Sequence, residues 1–351
     1  MKLMTIIGAR PQFIKAAVVS HALKQYRHDI NEIIIHTGQH FDSNMSDIFF
    51  GQLNIAKPDI QMNINSGRHG EMTGLMLAEI ELRLIEEKPD RVLVYGDTNS
   101  TLAGALAAAK LHIPVAHVES GLRSFNLKMP EEINRIVTDQ VSDLLFCPTA
   151  TAVSNLKNEG FHKKSVSIKH VGDVMQDAAI LFREKAMAPK FSDIPKDFIL
   201  ATVHRAENTD DPVRLANIVN ALNELHAKRA PVVLPLHPRT RKLIDKQGLN
   251  LKVIVLEPVG YFEMIWLLEH SQLVMTDSGG VQKEAFFFNK ACVTMRDQTE
   301  WTELVDIGAN EIVGANSDLI VSAAERNYSR KVEDNSLYGG GEASRRIAEQ
   351  L

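Results

Sequence analysis

Several classes of protein are excluded by what this sequence lacks. It has only two cysteines, Cys147 and Cys292, and neither lies in a metal-binding or redox motif, which is typical of reduced, packed thiols in a cytoplasm. No apolar run approaches about 18 residues, so we expect no membrane span, and the run at residues 3–7 is too short for a signal-peptide core. The net charge of −5 lacks the basic excess of a nucleic-acid binder. We therefore expect a cytoplasmic globular protein that does not bind nucleic acid.

Several catalytic motifs are also missing. There is no G-x-G-x-x-G after a strand, no P-loop, no H-E-x-x-H zinc motif and no G-x-S-x-G nucleophile motif. The triplet His117-Val118-Glu119 is like the start of a zinc deaminase signature, but no P-C-x-x-C follows it. We therefore expect no metal and no redox cofactor. The chemistry that remains is acid–base catalysis on a nucleotide-bound group.

The chain does contain an alternation of short β-branched runs with longer helical stretches. Such alternation is typical of parallel sheets covered by helices. The pattern restarts after residue 197, so the 351 residues predict an α/β protein with two Rossmann-like domains, at 1–183 and 198–340. The segment between them contains prolines and shows no clear period. Because ligands bind beyond the carboxyl ends of such strands, we expect the active site in the cleft between the domains.

Chemically useful side chains follow the predicted strands of the first half. Arg10 and Lys15 lie near a helix start, where an anion is favoured, although a solvated surface turn explains them as well. Asp97 follows the strand at 91–95, and a helix N-cap is its structural alternative. Glu119 follows the strand at 114–118, and because glutamate is a poor N-cap its structural explanation is weaker. Glu131 lies in a first helical turn, where carboxylates are common.

The second half offers groups suited to an anion instead. His204 and Arg205 follow one strand, and His237 follows the next. A third strand is followed by Asp277 and then by Ser278, Gly279 and Gly280 at a helix start, where backbone N–H groups can approach a phosphate. Glu284, four residues further on, is suited to ribose hydroxyls. These patterns predict that carboxylates of one domain act on a ligand whose phosphates are held by the other.

Seven motifs carry a resemblance to a known family. They are GARPQFIKA, VYGDTNST, AHVESGLRS, MPEEINR, TVHRAEN, TDSGGVQKEA and YGGGEASRRI. In this order they resemble the non-hydrolysing UDP-N-acetylglucosamine 2-epimerase family over nearly the whole chain. The resemblance implies a glycosyltransferase-B-like fold in which the last helix, 341–351, packs back on the first domain. It also implies a homodimer that works without a cofactor.

Two positions indicate a branch of that family. The commoner branch has glutamate where this chain has Gln12, and arginine where it has Trp301. GARPQFIKA and MRDQTEW are more similar to the UDP-2,3-diacetamido-2,3-dideoxy-glucuronate 2-epimerases, which serve surface polysaccharide (O-antigen) synthesis. Some family members have an allosteric UDP-N-acetylglucosamine site after Gln39-His40, and residues 41–44 and 68–70 depart from its pattern. These departures disfavour such activation here.

The resemblance implies a mechanism and a role for each motif residue. UDP is eliminated from C1 as a proton is removed from C2, and UDP adds back as a proton is delivered to the opposite face of C2. The two faces require two proton carriers. The implied catalytic residues are Asp97, Glu119, Glu131 and His204. The implied substrate-binding residues are Arg10, Lys15, Arg135, Arg205, His237, Tyr261, Ser278, Gly279, Gly280 and Glu284.

The sequence leaves four rival functions open. UDP-N-acetylglucosamine as the substrate would use the same catalytic residues. A hydrolysing epimerase would release UDP and free sugar. A glycosyltransferase would need an acceptor and leave C2 alone. An inactive nucleotide-sugar sensor is disfavoured by the intact set of carboxylates.

Overall fold

The structure is a computed structural model, and it describes residues 1–39, 57–65, 67–190, 194–332 and 336–351, with the backbone alone at Arg10 and Ser336. The chain forms two compact units. Unit 1 comprises residues 1–178 together with 336–351, and unit 2 comprises residues 179–335. The domain limits expected from sequence, 1–183 and 198–340, remain a prediction.

Unit 1 is built on a parallel seven-stranded sheet of order β3-β2-β1-β4-β5-β6-β7. Its strands are β1 (Lys2–Ile7), β2 (Asn31–His36), β3 (Ile60–Gln61), β4 (Arg91–Tyr95), β5 (Val115–Val118), β6 (Leu144–Cys147) and β7 (Ser167–His170). β1 and β4 are neighbours at the position where the strand order reverses. In Rossmann-type sheets this reversal opens the crevice that binds ligands.

Unit 2 repeats this arrangement with a parallel six-stranded sheet of order β10-β9-β8-β11-β12-β13. Its strands are β8 (Ile199–Thr202), β9 (Val232–Pro235), β10 (Ile254–Leu256), β11 (Leu273–Thr276), β12 (Cys292–Thr294) and β13 (Asn310–Ile312). The order reverses between β8 and β11, which pair directly. The second reversal marks a second ligand-binding edge.

The described residues form fourteen α-helices. They are α1 (Arg10–Tyr26), α2 (His69–Glu87), α3 (Asn99–Lys110), α4 (Pro130–Val141), α5 (Ala150–Asn158), α6 (Val174–Arg183), α7 (Ala206–Thr209), α8 (Pro212–Lys228), α9 (Pro238–Lys246), α10 (Tyr261–His270), α11 (Gly279–Phe287), α12 (Thr302–Asp306), α13 (Ser317–Asn327) and α14 (Ala343–Gln350). No helix in these parts of the chain is long and apolar enough to cross a membrane.

Local sequence explains where several helices begin. Thr98 precedes α3 and accepts a hydrogen bond from Thr101 N, and Asp211 precedes α8 and accepts from Val213 N and Arg214 N. These short polar side chains satisfy N–H groups that the helix leaves unpaired. Proline opens α8, where its missing N–H has no effect on the helix.

The carboxy-terminal helix α14 belongs to unit 1 and contacts α1. Asp177 in α6 fixes its first turn by accepting hydrogen bonds from Ala343 N (3.2 Å), Ser344 N (2.6 Å) and Ser344 Oγ (2.6 Å). Gly172 approaches the backbone of Tyr338 so closely that a Cβ would clash with it. These contacts attach α14 to unit 1, whose sheet contains β1 at the other end of the sequence.

Candidate active site

The turn after β1 in unit 1 is built around Gly8 and Gln12. A Cβ at Gly8 would overlap Ser100 Oγ and Thr37 Oγ1, so only glycine fits. The buried Gln12 side chain accepts from Gly8 N (2.8 Å) and donates to Tyr95 O (2.7 Å) at the end of β4. Gln12, which distinguishes the sequence from the commoner branch, therefore links the turn after β1 to the end of β4. The Arg10 side chain and residues 40–56, directly after Gln39, lie outside the described part of the chain.

Glu119 and Lys15 form an ion pair in this crevice. Lys15 Nζ donates to Glu119 Oε2, and both side chains are 11% exposed. Glu119 has φ +73°, a left-handed conformation that is uncommon for residues other than glycine. Its N–H donates to Phe146 O (3.0 Å), which ties the turn to β6. Lys15, predicted to bind diphosphate, thus neutralises a predicted catalytic carboxylate in this structure.

Asp97 is paired with Arg135 from α4. Arg135 donates to Asp97 Oδ2 from Nε (2.9 Å) and from Nη2 (2.8 Å). A third contact joins Arg135 Nη1 to Glu132 Oε2 at 2.6 Å. Arg135, predicted to bind substrate, therefore forms an ion pair with a second predicted catalytic carboxylate.

Glu131 and Glu132 are adjacent in α4 but have different environments. Glu131 is exposed, and within the described ranges it makes no hydrogen bond or ion pair. Glu132 is 1% exposed and accepts from Ser124 N and Phe125 N, both at 2.9 Å. Burial alone would raise the pKa of Glu132, but these N–H donors and Arg135 lower it below its usual value. Glu132 is thus a structural carboxylate, and Glu131 is free to meet a ligand.

Two asparagines, Asn134 and Asn99, are hydrogen-bonded to each other next to the Asp97 backbone. Asn134 Nδ2 donates to Asp97 O (2.8 Å) and to Asn99 Oδ1 (3.3 Å). Both side chains are buried. Asn134 lies three residues after Glu131 in the same helix, so it links the helix that carries one carboxylate to the turn that carries another. Sequence reasoning did not single it out, since an asparagine within a helix has no distinctive pattern.

In unit 2, Asp277 organises the loop that follows β8. This fully buried carboxylate accepts from His204 N (3.1 Å), Arg205 N (3.0 Å) and Asn208 Nδ2 (3.2 Å). Burial lowers the pKa of His204, Asp277 opposes the shift, and the positive charge of Arg205 adds to it. A neutral imidazole and a guanidinium are therefore presented together at the carboxyl end of β8.

The amino terminus of α11 lies beside that loop. Ser278 precedes the helix, and a Cβ at Gly279 would overlap the Glu300 carboxylate and lie 3.6 Å from Arg205 Nη2. Gly280 has open space around it. Trp301 Nε1 donates to Gly279 O at 2.9 Å, so the residue that marks the branch shapes this helix start. An anion here would meet backbone N–H groups and the positive end of the helix dipole.

The other predicted binding residues lie in unit 2. His237 precedes α9 and its Nδ1 accepts from Arg239 N (3.2 Å). Tyr261 begins α10, with its ring edge-on to Phe182 at 6.1 Å between centroids. Glu284 lies in α11, one turn after Gly280, and is half-buried. The structure brings His204, Arg205 and Gly279 together, and His237 lies near enough to His204 for its charge to lower the pKa of His204.

The two crevices therefore have complementary chemistry. Unit 1 presents three carboxylates, of which Asp97 and Glu119 are charge-paired and Glu131 is exposed. Unit 2 presents a helix start, a guanidinium and an imidazole. The first set can transfer protons, and the second can bind a phosphate group.

Comparison with known proteins gives a consistent result. Residues 21–351 match the family model described as UDP-N-acetylglucosamine 2-epimerase. The UDP-2,3-diacetamido-2,3-dideoxy-D-glucuronate 2-epimerase of Pseudomonas aeruginosa is 66% identical over 352 residues, which cover 100% of this chain and 99% of that protein.

Two solved structures are similar over their full length. The UDP-GlcNAc 2-epimerase of Methanocaldococcus jannaschii in complex with UDP-GlcNAc and UDP has a TM-score of 0.83 and 42% identity, covering 100% of this chain and 99% of its own. The enzyme of Neisseria meningitidis bound to UDP-GlcNAc has a TM-score of 0.86 and 32% identity, with the same coverage. These similarities confirm the predicted fold class, α/β with two Rossmann-like domains of the glycosyltransferase-B-like type.

Proposed function

This chain belongs to the UDP-N-acetylglucosamine 2-epimerase family, and from that premise we propose that it inverts C2 of a UDP-2-acetamido sugar without net hydrolysis. The substrate we propose is UDP-2,3-diacetamido-2,3-dideoxy-glucuronate, converted to its manno epimer. The observation that carries this choice is the 66% identity, over the whole chain, to an enzyme named for that sugar. Gln12 and Trp301, which differ from the commoner branch, both have defined structural roles and agree with it.

The proposed reaction avoids redox chemistry by elimination. The C1–O bond to the diphosphate breaks, and the positive charge that develops at C1 acidifies the proton on C2. A carboxylate removes that proton, which leaves UDP and a 2-acetamidoglycal. UDP then adds back to C1 while a second group delivers a proton to the opposite face of C2. Two faces require two proton carriers, which accounts for several carboxylates in one crevice.

We assign the proton carriers to Asp97 and Glu131, with Glu119 assisting them. Asp97 is paired with Arg135, whereas the side chain of Glu131 is exposed and unpaired within the described residues. Glu119 and Lys15 lie beside the same turn. Negative charge at these positions also stabilises the cationic transition state at C1.

We assign the leaving diphosphate to unit 2. The start of α11 supplies backbone N–H groups and positive potential, and Arg205 supplies a guanidinium next to Gly279. His204 stands in the same loop as a neutral acid or base for the diphosphate oxygen. Holding UDP through the intermediate is what makes the reaction an epimerisation, because UDP then returns before water attacks the glycal.

Proton NMR in D2O tests the function directly. The purified chain receives UDP-2,3-diacetamido-2,3-dideoxy-glucuronate in one tube and UDP-N-acetylglucosamine in another. We expect a manno product that still bears UDP and carries deuterium at C2, formed faster in the first tube. Faster turnover in the second tube would indicate the alternative substrate. Free UDP with free sugar would indicate a hydrolysing enzyme, and no reaction in either tube would contradict the proposal.

We further propose that the enzyme works in the cytoplasm as a homodimer that serves surface polysaccharide (O-antigen) synthesis. What supports this proposal is membership of the family, together with the resemblance of the GARPQFIKA and MRDQTEW motifs to the branch that serves such synthesis. Light scattering at micromolar concentration tests the assembly, since a monomer and a dimer of a 39.1 kDa chain differ twofold in mass.

A further inference from the structure

A buried histidine links the two turns that carry proposed catalytic carboxylates. His117 lies in β5 and is fully buried, as is Asp139 in α4. His117 Nδ1 lies 2.7 Å from Asp139 Oδ1, and His117 Nε2 lies 2.8 Å from Gly96 O. Both partners are hydrogen-bond acceptors, so each ring nitrogen of His117 faces one oxygen atom. Each side of the imidazole is therefore committed to one specific partner.

The partner on one side is the residue that precedes Asp97. Gly96 N donates to Val118 O (3.0 Å), and Gly96 O accepts from His117, so consecutive residues of β5 hold both polar groups of this glycine. Gly96 has φ +62°, and a Cβ there would lie 3.3 Å from Glu119 Oε2 and 3.5 Å from Lys15 Nζ. The turn that carries Asp97 is thus fixed against the Glu119 side chain.

Asp139, the partner of His117 Nδ1, anchors the Glu119 turn on both sides of Glu119. Asp139 Oδ1 accepts from His117, two residues before Glu119, and Asp139 Oδ2 accepts from Gly121 N (3.1 Å), two residues after it. Between these anchors Glu119 adopts its left-handed backbone. Strained conformations of this kind persist only where the surrounding structure enforces them.

We propose that His117, held by Asp139, is a positioning residue that fixes Asp97 and Glu119 relative to each other for proton transfer. This inference rests on the function proposed above. It goes beyond that function because His117 is fully buried and acts by holding the Gly96 carbonyl, next to Asp97, and Asp139, which anchors the Glu119 turn. A displacement of about 1 Å at a reacting group can reduce a rate about 100-fold, so a lost hydrogen bond at Gly96 has a measurable effect.

Two isosteric variants separate the two sides of the ring. Asparagine places its amide near the position of Nδ1, so His117→Asn keeps the bond to Asp139 and loses the one to Gly96 O. Glutamine reaches the position of Nε2, so His117→Gln keeps the bond to Gly96 O and loses the one to Asp139. Each variant loses one buried hydrogen bond, so we expect similar decreases in melting temperature.

The kinetic readout is kcat for C2 epimerisation, with UDP affinity measured by calorimetry. We expect kcat to fall about 100-fold in His117→Asn but less than about tenfold in His117→Gln, because only the glutamine still fixes Gly96. UDP affinity stays at the wild-type value in both, since unit 2 binds UDP. Equal loss of kcat in the two variants, or loss that follows the melting temperature, would overturn the proposal.

A second pair keeps the test decisive if a His117 variant does not fold. Asp139→Asn retains the imidazole and the side-chain volume but leaves one oxygen for two anchors, His117 and Gly121 N, on either side of Glu119. It therefore disturbs more than His117→Gln does, and we expect kcat to fall at least about tenfold. Glu159→Gln is the matched control, because Glu159 accepts from Arg123 (2.7 Å), which in turn binds Asp139 Oδ2 (2.8 Å), and Glu159 has no contact with Gly96 among the described residues. The same kcat in these two variants would contradict the inference. A wild-type enzyme without turnover would instead contradict the proposed function.

Discussion

At the scale of single residues, the adjacent glutamates of α4 show why position alone does not identify a catalytic group. Glu131 and Glu132 follow the same proline, and the sequence gives no reason to separate them. The helix turns Glu132 inward to three donors and leaves Glu131 outside. Substituting each glutamate in turn therefore compares an exposed carboxylate with a buried one in the same helical turn.

We expect Glu131→Gln to lower kcat by about 100-fold or more without a change in melting temperature, because it removes a proton carrier whose side chain has no partner among the described residues. Glu132→Gln should destabilise the fold by about 1–3 kcal/mol, because the buried N–H donors of Ser124 and Phe125 and the Arg135 guanidinium lose a charged acceptor. Kinetics and thermal unfolding of both variants check this. If Glu131→Gln retained full activity, another residue would have to carry the second proton.

Gly8 offers a second test at one position. Gly8→Ala forces a Cβ into Ser100 Oγ and Thr37 Oγ1, so we expect a loss of about 1–3 kcal/mol in unfolding free energy together with reduced kcat. Gly74→Ala in α2 is the control, because nothing lies within 4 Å of its added Cβ. That change should stabilise the helix by roughly 0.5–1 kcal/mol. Urea unfolding of both variants measures the difference, and a neutral Gly8→Ala would show that the turn can relax.

At the scale of elements, the strands were largely predictable and the connections among side chains were not. Each predicted β-branched run corresponds to a strand, whereas the two-residue β3 is too short to show a period. β4 and β5 pair directly, which places the turns that carry Asp97 and Glu119 side by side. Asn134 and Asp139 were missed, and so was the structural role of Gln12, because their partners are distant in sequence and only the folded backbone brings them into range.

The packing of α1 against β2 makes stability depend on pH. His36 at the end of β2 stacks on Phe13 of α1 (4.9 Å between centroids), and burial lowers its pKa from 6.5 to about 4. The folded state thus favours neutral imidazole, so its contribution is complete above pH 6.5 and is lost as pH falls towards 4. This decline is on the order of 3 kcal/mol.

His36→Asn tests this dependence, because the asparagine carbonyl can still accept from Gln61 Nε2, which lies 2.9 Å from His36 Nδ1. We expect the difference in unfolding free energy between wild type and variant to shrink as pH falls from 6.5 to 4, measured by urea unfolding. A difference that stays constant over that range would assign the acid sensitivity to other groups.

The attachment of α14 depends on one carboxylate. Asp177→Ala removes three hydrogen bonds to the first turn of α14, whereas Ser344→Ala removes only the hydroxyl contact. We expect faster amide exchange across residues 343–350 in Asp177→Ala and a smaller change in Ser344→Ala, because lost N-capping contacts cost about 1 kcal/mol in helix stability. Equal exchange in both variants would show that packing on α1 holds the helix alone.

At the scale of the whole molecule, the proposed chemistry is divided between the two units, so binding and catalysis should be separable by mutation. Asp97→Asn removes a proposed base of unit 1 without touching unit 2, and we expect kcat to fall about 100-fold or more while UDP affinity stays unchanged. Arg205→Ala in unit 2 removes a guanidinium near Gly279 and should weaken UDP binding by about 2–3 kcal/mol.

Calorimetry with UDP and the D2O exchange assay together decide whether this division holds. In Asp97→Asn, UDP should bind normally while deuterium no longer enters C2, because elimination itself is blocked. In Arg205→Ala, saturating substrate should restore part of the exchange, since the carboxylates that move the proton are intact. If Asp97→Asn lost UDP affinity in parallel with activity, the carboxylate would be acting on the nucleotide, and the assignment of proton transfer to unit 1 would be wrong.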